Sequence, residues 1–210
     1  PGTLHVSVTY HLTDNNEVEL IYQATTDKDT VLNLTNHAFF NLSGAGIPTV
    51  HDHVLTIHAS KYLPADETSI PYGDPVPVAE TPMDFTTPHT IGERINENFE
   101  QLIFGRGYDH CYVLDKGNGI YAEAARCSSP RTGIVMTVYT TEPGIQLYTA
   151  NWLAAKSEGK KGLFYPSQSA FCLETQHYPD SPNHPQYPTT ILRKGETFTS
   201  RTTFAFSVEK

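Results

Sequence analysis

Positive charge is scarce in this chain. Lys and Arg number 14 against 23 Asp and Glu, a net −9 with histidine neutral. That balance argues against a nucleic-acid partner and against an anionic membrane, because both recruit basic patches. Long apolar runs are also missing. Nothing approaches the roughly 20 residues of a spanning helix, and no signal peptide is visible. Cysteines are few, odd in number and scattered, at Cys111, Cys127 and Cys172. They give neither a disulfide framework nor a zinc pattern, and the expectation is a reducing, cytoplasmic compartment. There is no glycine-rich phosphate loop and no nucleophile elbow, so no cofactor is expected. His51, His53 and His58 alternate, but no carboxylate follows at a ligand spacing, so no metal is expected either.

What the chain does have is a period of two. Leu4, Val6, Val8, Tyr10 and Leu12 alternate with polar residues, and so do Val18, Leu20, Tyr22 and Ala24 after an Asp/Asn turn. These read as a hairpin of two half-buried antiparallel strands. Further strands are expected at Val31–Leu34, Val54–Ile57, Cys111–Leu114, Tyr121–Ala125, Ile134–Tyr139, Ile145–Tyr148, Ala170–Glu174 and Phe198–Val208. One helical turn is expected near Thr90–Phe99, capped by His89 or Thr90. The segment from Ile57 to Phe85 has five prolines and little periodicity, and reads as a loop ordered by Tyr62, Tyr72 and Phe85. The whole is expected to be one all-β domain over 1–210, an antiparallel β-sandwich.

Four stretches carry residues suited to chemistry. Glu174 arrives at the end of the apolar run Ala170–Leu173, and prolines at 179, 182 and 185 hold the following segment extended. A carboxylate so placed is either a base or half of a structural ion pair with a nearby Lys or Arg. His37 sits where an apolar strand becomes polar, between Asn36 and Asn41, whose amides can orient an imidazole. Asp109, in Gly107-Tyr108-Asp109-His110, stands at a strand start, where it can grip a hydroxyl pair or cap a turn. Gln146 offers both a donor and an acceptor, with the aromatic faces of Tyr148 and Trp152 nearby.

Together these stretches resemble a known family. Asn36-His37-Ala38-Phe39-Phe40-Asn41-Leu42 is similar to the histidine motif of the galactose mutarotases, or aldose 1-epimerases. Gly107–His110, Gly144–Asn151 and Leu173–Pro185 resemble three further family motifs, in the family's order. Tyr62–Asp66, Pro82–Phe85 and Leu192–Glu196 match as well. The resemblance implies a large antiparallel supersandwich and interconversion of the α and β anomers of an aldose such as galactose or glucose. It implies His37 as general acid, Glu174 as general base, and Asp109, Gln146 and Asn36 as sugar contacts, in a monomer or weak homodimer. The family carries a substantial N-terminal portion before the position of Pro1, so the chain is expected to be its C-terminal part. An exposed apolar strip or sheet edge is expected where the N-terminal strands would pair.

The chemistry is consistent on its own terms. Opening a pyranose needs a proton delivered to the ring oxygen and another removed from the C1 hydroxyl; closing reverses both. Reference pKa values of about 6.5 for His and about 4.3 for Glu suit a protonated His37 and an ionised Glu174 at the start. Two other readings stay open here. Asp109 and Glu174 could be a glycosidase pair, at about 5–5.5 Å for retention or about 6.5–9.5 Å for inversion. Alternatively, the chain could be a sugar-binding or regulatory module in which His37 is structural.

Overall fold

The structure, a computed structural model, describes residues 1–154, 156 and 158–209. Period-two patterning becomes strands almost throughout. The larger sheet contains β1 (Leu4–Leu12), β2 (Glu17–Thr26), β4 (Val54–Ile57), β7 (His89–Thr90), β9 (Ala122–Ser128), β10 (Ile134–Thr140) and β14 (Thr197–Val208). Its order is β1-β2-β14-β10-β9-β4-β7. The smaller sheet contains β5 (Lys61–Tyr62), β6 (Val76–Pro77), β8 (Asp109–Val113), β11 (Gly144–Tyr148) and β12 (Cys172–Gln176), in the order β12-β11-β8-β5-β6. A third pairing joins β3 (Thr30–Val31) to β13 (Ile191–Leu192). All these pairings are antiparallel.

The two larger sheets share one apolar core, the expected sandwich. Leu20, Tyr22, Leu55, Ile57, Met136, Val138 and Phe204 from the first meet Tyr62, Tyr112, Ile145, Leu147 and Leu173 from the second. The pleat then decides what lies outside. In β11, Ile145 and Leu147 face the core, so Gln146 and Tyr148 face away. In β12 the core takes Leu173 and Thr175, which turns Cys172, Glu174 and Gln176 outward.

Three expectations change. The Thr90–Phe99 turn is not helical: His89–Thr90 pairs with β4, and the one α-helix among the described residues is α1 (Glu100–Gly105). Ile91 and Ile95 are both buried and four apart, which imitates a helical face. Gly92, however, lies so close to His51 that a Cβ there would overlap its side chain, and the chain passes in a series of turns. The third strand is also shorter than Val31–Leu34. After Val31 the Asn33 side chain replaces ladder bonds, its Nδ2 donating to the His177 carbonyl (2.9 Å) while its Oδ1 accepts from the His177 N–H (3.0 Å). Finally, the proline-rich segment is tied down by Leu63, Met83 and Phe85, all buried, and by Tyr108 and Tyr112 hydroxyls donating to the Pro82 and Met83 carbonyls. The Tyr72 ring is exposed, and this residue contributes through its N–H, which donates to the Pro64 carbonyl (3.0 Å).

The first hairpin is asymmetric. Val18, Leu20, Tyr22 and Ala24 of β2 point toward the core, and opposite them in register stand Leu12, Tyr10, Val8 and Val6. β1 is nevertheless exposed along its whole length, Tyr10 at 65 % and Leu12 at 75 %. It is therefore an edge strand with an uncovered apolar face, not the half-buried strand its alternation suggests.

Candidate active site

The outward face of the smaller sheet gathers four of the five residues singled out by sequence. Register sets Gln146 opposite both Glu174 on β12 and Cys111 on β8, and Tyr148 opposite Cys172 and Asp109. Asp109 and Gln146 are thus diagonal neighbours on one face. Gln146 Nε2 donates to Asp109 Oδ1 at 2.8 Å.

His37 comes from outside the sheet. Residues 33–40 run beside the free edge of β12 and are anchored at both ends. Asn33 clamps the backbone of His177 at one end; at the other, Phe40 and Phe171 exchange N–H to C=O bonds of 2.8 and 2.9 Å. Between the anchors the chain bows over β12 and sets His37 Nε2 3.4 Å from Glu174 Oε1. Phe39 and Tyr148 support the imidazole, with ring centroids 5.0 and 5.8 Å away. A pocket of about 300 Å³ results, lined by His37, Asp109, Gln146, Tyr148, Glu174, Gln176 and Pro179. A larger cavity of about 600 Å³ lies elsewhere, beside the buried Glu142–His177 pair (2.6 Å). It brings together none of the five predicted residues.

The electrostatics favour proton transfer. Burial pushes Glu174 up to about 7; the His37 charge pulls it down and the Asp109 charge adds to the rise. Asp109 is also raised by burial, against the pull of the Gln146 hydrogen bond and of His37. Among the described residues no Lys or Arg reaches Glu174, so the structural ion pair with a basic side chain is not what is found. Its one ion-pair partner among the described residues is the His37 imidazole. The Gln146 Oε1 is buried with no partner, an acceptor at the pocket wall still in need of a donor.

Asn36 does not line this pocket. Its Oδ1 accepts from the Ala38 N–H (3.1 Å), and its Nδ2 reaches the Tyr10 hydroxyl at 3.4 Å. Asn41 likewise spends its amide on the carbonyls of Ile47 and Ser169. Neither orients His37, whose Nδ1 instead meets Cys172 Sγ at 3.5 Å. Trp152 stands apart under the Arg106 guanidinium, 4.2 Å from its ring. Cys172 and Gln176 escaped the sequence reading. The available signal was period two: both lie two residues from Glu174 and so share its face.

Donor atoms of His37, Cys172 and Glu174 lie within 4.8 Å of one another, the one such metal-capable group among the described residues. It suits a cation poorly. Burial, then the charges of Glu174 and Asp109, push the Cys172 thiol up, and metals are held by thiolates. The three alternating histidines are occupied separately: His51 with Gln168, His53 with Asp52, and His58 with Glu123.

Comparison with known proteins bears on the family and the fold. The family model for aldose 1-epimerase matches residues 1–205. A galactose mutarotase of Homo sapiens is 43% identical over 208 residues, covering 99% of this chain and 59% of the relative. An aldose 1-epimerase of Escherichia coli (strain K12) is 38% identical over 213 residues, covering 100% of this chain and 60% of the relative. The fold is similar to the crystal structure of a GalM/aldose epimerase homologue from C. elegans, with TM-score 0.88, 29% identity, and coverage of 100% of this chain and 62% of that one. A galactose 1-epimerase from Lactobacillus acidophilus NCFM superposes with TM-score 0.84 at 28% identity, covering 100% of this chain and 59% of that one. The chain thus spans about three fifths of the length of the curated relatives it matches.

Proposed function

Since this chain belongs to the aldose 1-epimerase family, we propose that the protein interconverts the α and β anomers of an aldose, galactose or glucose in the first instance. The observation that carries the reading is the pairing of His37 Nε2 and Glu174 Oε1 at 3.4 Å in a pocket also lined by Asp109 and Gln146. His37 delivers a proton to the ring oxygen while Glu174 removes one from the C1 hydroxyl; rotation about C1–C2 follows, and closure reverses both transfers. Burial raises Glu174 to about 7, which makes its carboxylate a stronger base than an exposed Glu and suits it to taking the C1 hydroxyl proton. Asp109 and Gln146 hold the sugar hydroxyls; Asn36, expected as a further contact, lies outside the pocket and takes no part in this reading.

Around this site we read residues 1–210 as one domain of a cytoplasmic protein that is a monomer or weak homodimer and takes neither nucleic acid nor membrane as partner. The three cysteines are free and buried, as a reducing compartment allows. No helix of the described residues is long and apolar enough to cross a membrane. The direct test is polarimetric relaxation of freshly dissolved α-galactose and α-glucose with the intact protein, corrected for the spontaneous rate. Acceleration is expected for at least one sugar. Sugar binding without acceleration would turn the reading into that of a binding module.

A further inference from the structure

The chemistry above uses one nitrogen of His37. Nε2 faces Glu174, whereas Nδ1 faces the fully buried Cys172, with Sγ 3.5 Å away. Among the described residues no other polar atom bonds Nδ1. We propose that Cys172 is a positioning residue whose sulfur accepts the Nδ1–H of His37 and so confines the mobile proton to Nε2. This rests on the reading of His37 as proton carrier.

The geometry is fixed by one strand. Cys172 and Glu174 are two residues apart on β12, so they share a face at a spacing of about 6.6 Å along the strand. The imidazole sits across both, one nitrogen to each. Two anchors, Asn33–His177 and Phe40–Phe171, hold the segment that carries it. The thiol is kept protonated by burial and by the nearby Glu174 and Asp109 charges, so it meets the ring as a neutral group with a sulfur lone pair.

The direction of the bond follows from what the ring must do. As imidazolium, His37 carries a proton on both nitrogens and needs an acceptor for each; Glu174 Oε1 and Cys172 Sγ are the two at hand. When Nε2 gives up its proton, Nδ1 keeps its own, and Nε2 is left with a lone pair facing the site. It can take the proton back during ring closure. Were the thiol instead the donor to Nδ1, the neutral ring would hold its proton on Nε2 and have no lone pair there. A wrong tautomer at an intact site is known to be costly in acid–base catalysis.

The test is long-range ¹H–¹⁵N correlation spectroscopy of the 210-residue chain labelled at histidine, with His37 assigned from a His37→Asn variant. Neutral His37 is expected as the Nδ1–H tautomer. Cys172→Ser, which keeps an acceptor, should retain it. Cys172→Ala should move the major form to Nε2–H. A wild-type neutral ring protonated on Nε2 overturns the inference, and so does an unchanged tautomer in Cys172→Ala. If the alanine variant does not fold, the wild-type and serine spectra decide on the same criterion. In the intact protein, Cys172→Ala should lower kcat by about tenfold or more with KM within about twofold, and Cys172→Ser should recover most of it. The spectra need no catalysis. An inactive protein that still shows the Cys172-dependent tautomer supports the contact while overturning the functional reading.

Discussion

Gln146 Nε2 donates to Asp109 Oδ1 at 2.8 Å, and the same amide leaves its Oε1 buried without a partner. One side chain thus orients the acid and offers an acceptor to whatever enters the pocket. Gln146→Ala is expected to weaken aldose binding by about 1 kcal/mol, and Asp109→Ala by about 1.5–3 kcal/mol, since hydrogen bonds to a charged group are the stronger kind. Calorimetric titration with galactose and glucose measures both. Folded variants with unchanged affinity would make the pair a structural clasp between β8 and β11.

Glu174 gives the site a pH signature. Its pKa is raised to about 7, chiefly by burial, and the base must be ionised to work. The rate should therefore climb with pH through a limb near 7. Asp109 contributes to the rise, so Asp109→Asn should move that limb to lower pH. A limb that stays at its wild-type position in the Asp109→Asn variant would break the assigned coupling.

The same shift bears on stability. Between about pH 4.5 and 7 the folded protein holds a proton on Glu174 that the unfolded chain has released. Stability from this group is full below about 4.5 and is lost as pH rises through 7. Glu174→Gln removes the ionisation. Its melting temperature relative to wild type should be higher at pH 8 than at pH 4.5, which calorimetry at the two pH values checks. Equal differences at both pH values would mean that burial costs Glu174 nothing.

The strands that carry this site were legible in their apolar patterning, whereas the grouping of their polar residues rested on the family resemblance. Short apolar stretches marked β8 (from Cys111), β11 and β12, with Asp109, Gln146 and Glu174 as the conspicuous polar residues in or beside them. Cys172 reads as apolar in the run from Ala170 to Leu173, and it shares the outward face with Glu174 because Leu173 takes the core. The partner of His37 Nδ1 is not one of its sequence neighbours: the amides of Asn36 and Asn41 bond backbone groups and the Tyr10 hydroxyl instead. The helical turn expected near Thr90–Phe99 does not form because His89 and Thr90, read as its caps, pair with β4 instead.

β1 offers a test of the fold itself. Tyr10 and Leu20 are cross-strand partners on one face, the first 65 % exposed and the second 1 %. In the 210-residue chain, Leu20→Ala should cost about 2–5 kcal/mol in urea denaturation. Val8→Lys, on the exposed strip, should change stability by less than about 0.5 kcal/mol. It should also reduce self-association, because a charge on an edge strand discourages pairing with another chain. A large loss for Val8→Lys would show that the strip is covered in solution.

The sharpest expectation concerns His37 and Glu174 together. Glu174→Gln is nearly isosteric and keeps a hydrogen-bonding group in place, but it cannot take a proton as a carboxylate does. His37→Asn keeps a polar group but cannot deliver one at neutral pH. Each should slow mutarotation in the intact protein by about 10²–10⁴-fold while sugar affinity stays close to wild type. The two groups serve one proton relay across a 3.4 Å gap. With either removed, the other has nothing to exchange with, so the double variant should be little slower than the worse single one. Polarimetric relaxation of α-galactose at saturating protein reads all four rates. Additive losses would mean that His37 and Glu174 act in separate steps, and wild-type catalysis by Glu174→Gln would remove Glu174 as the base.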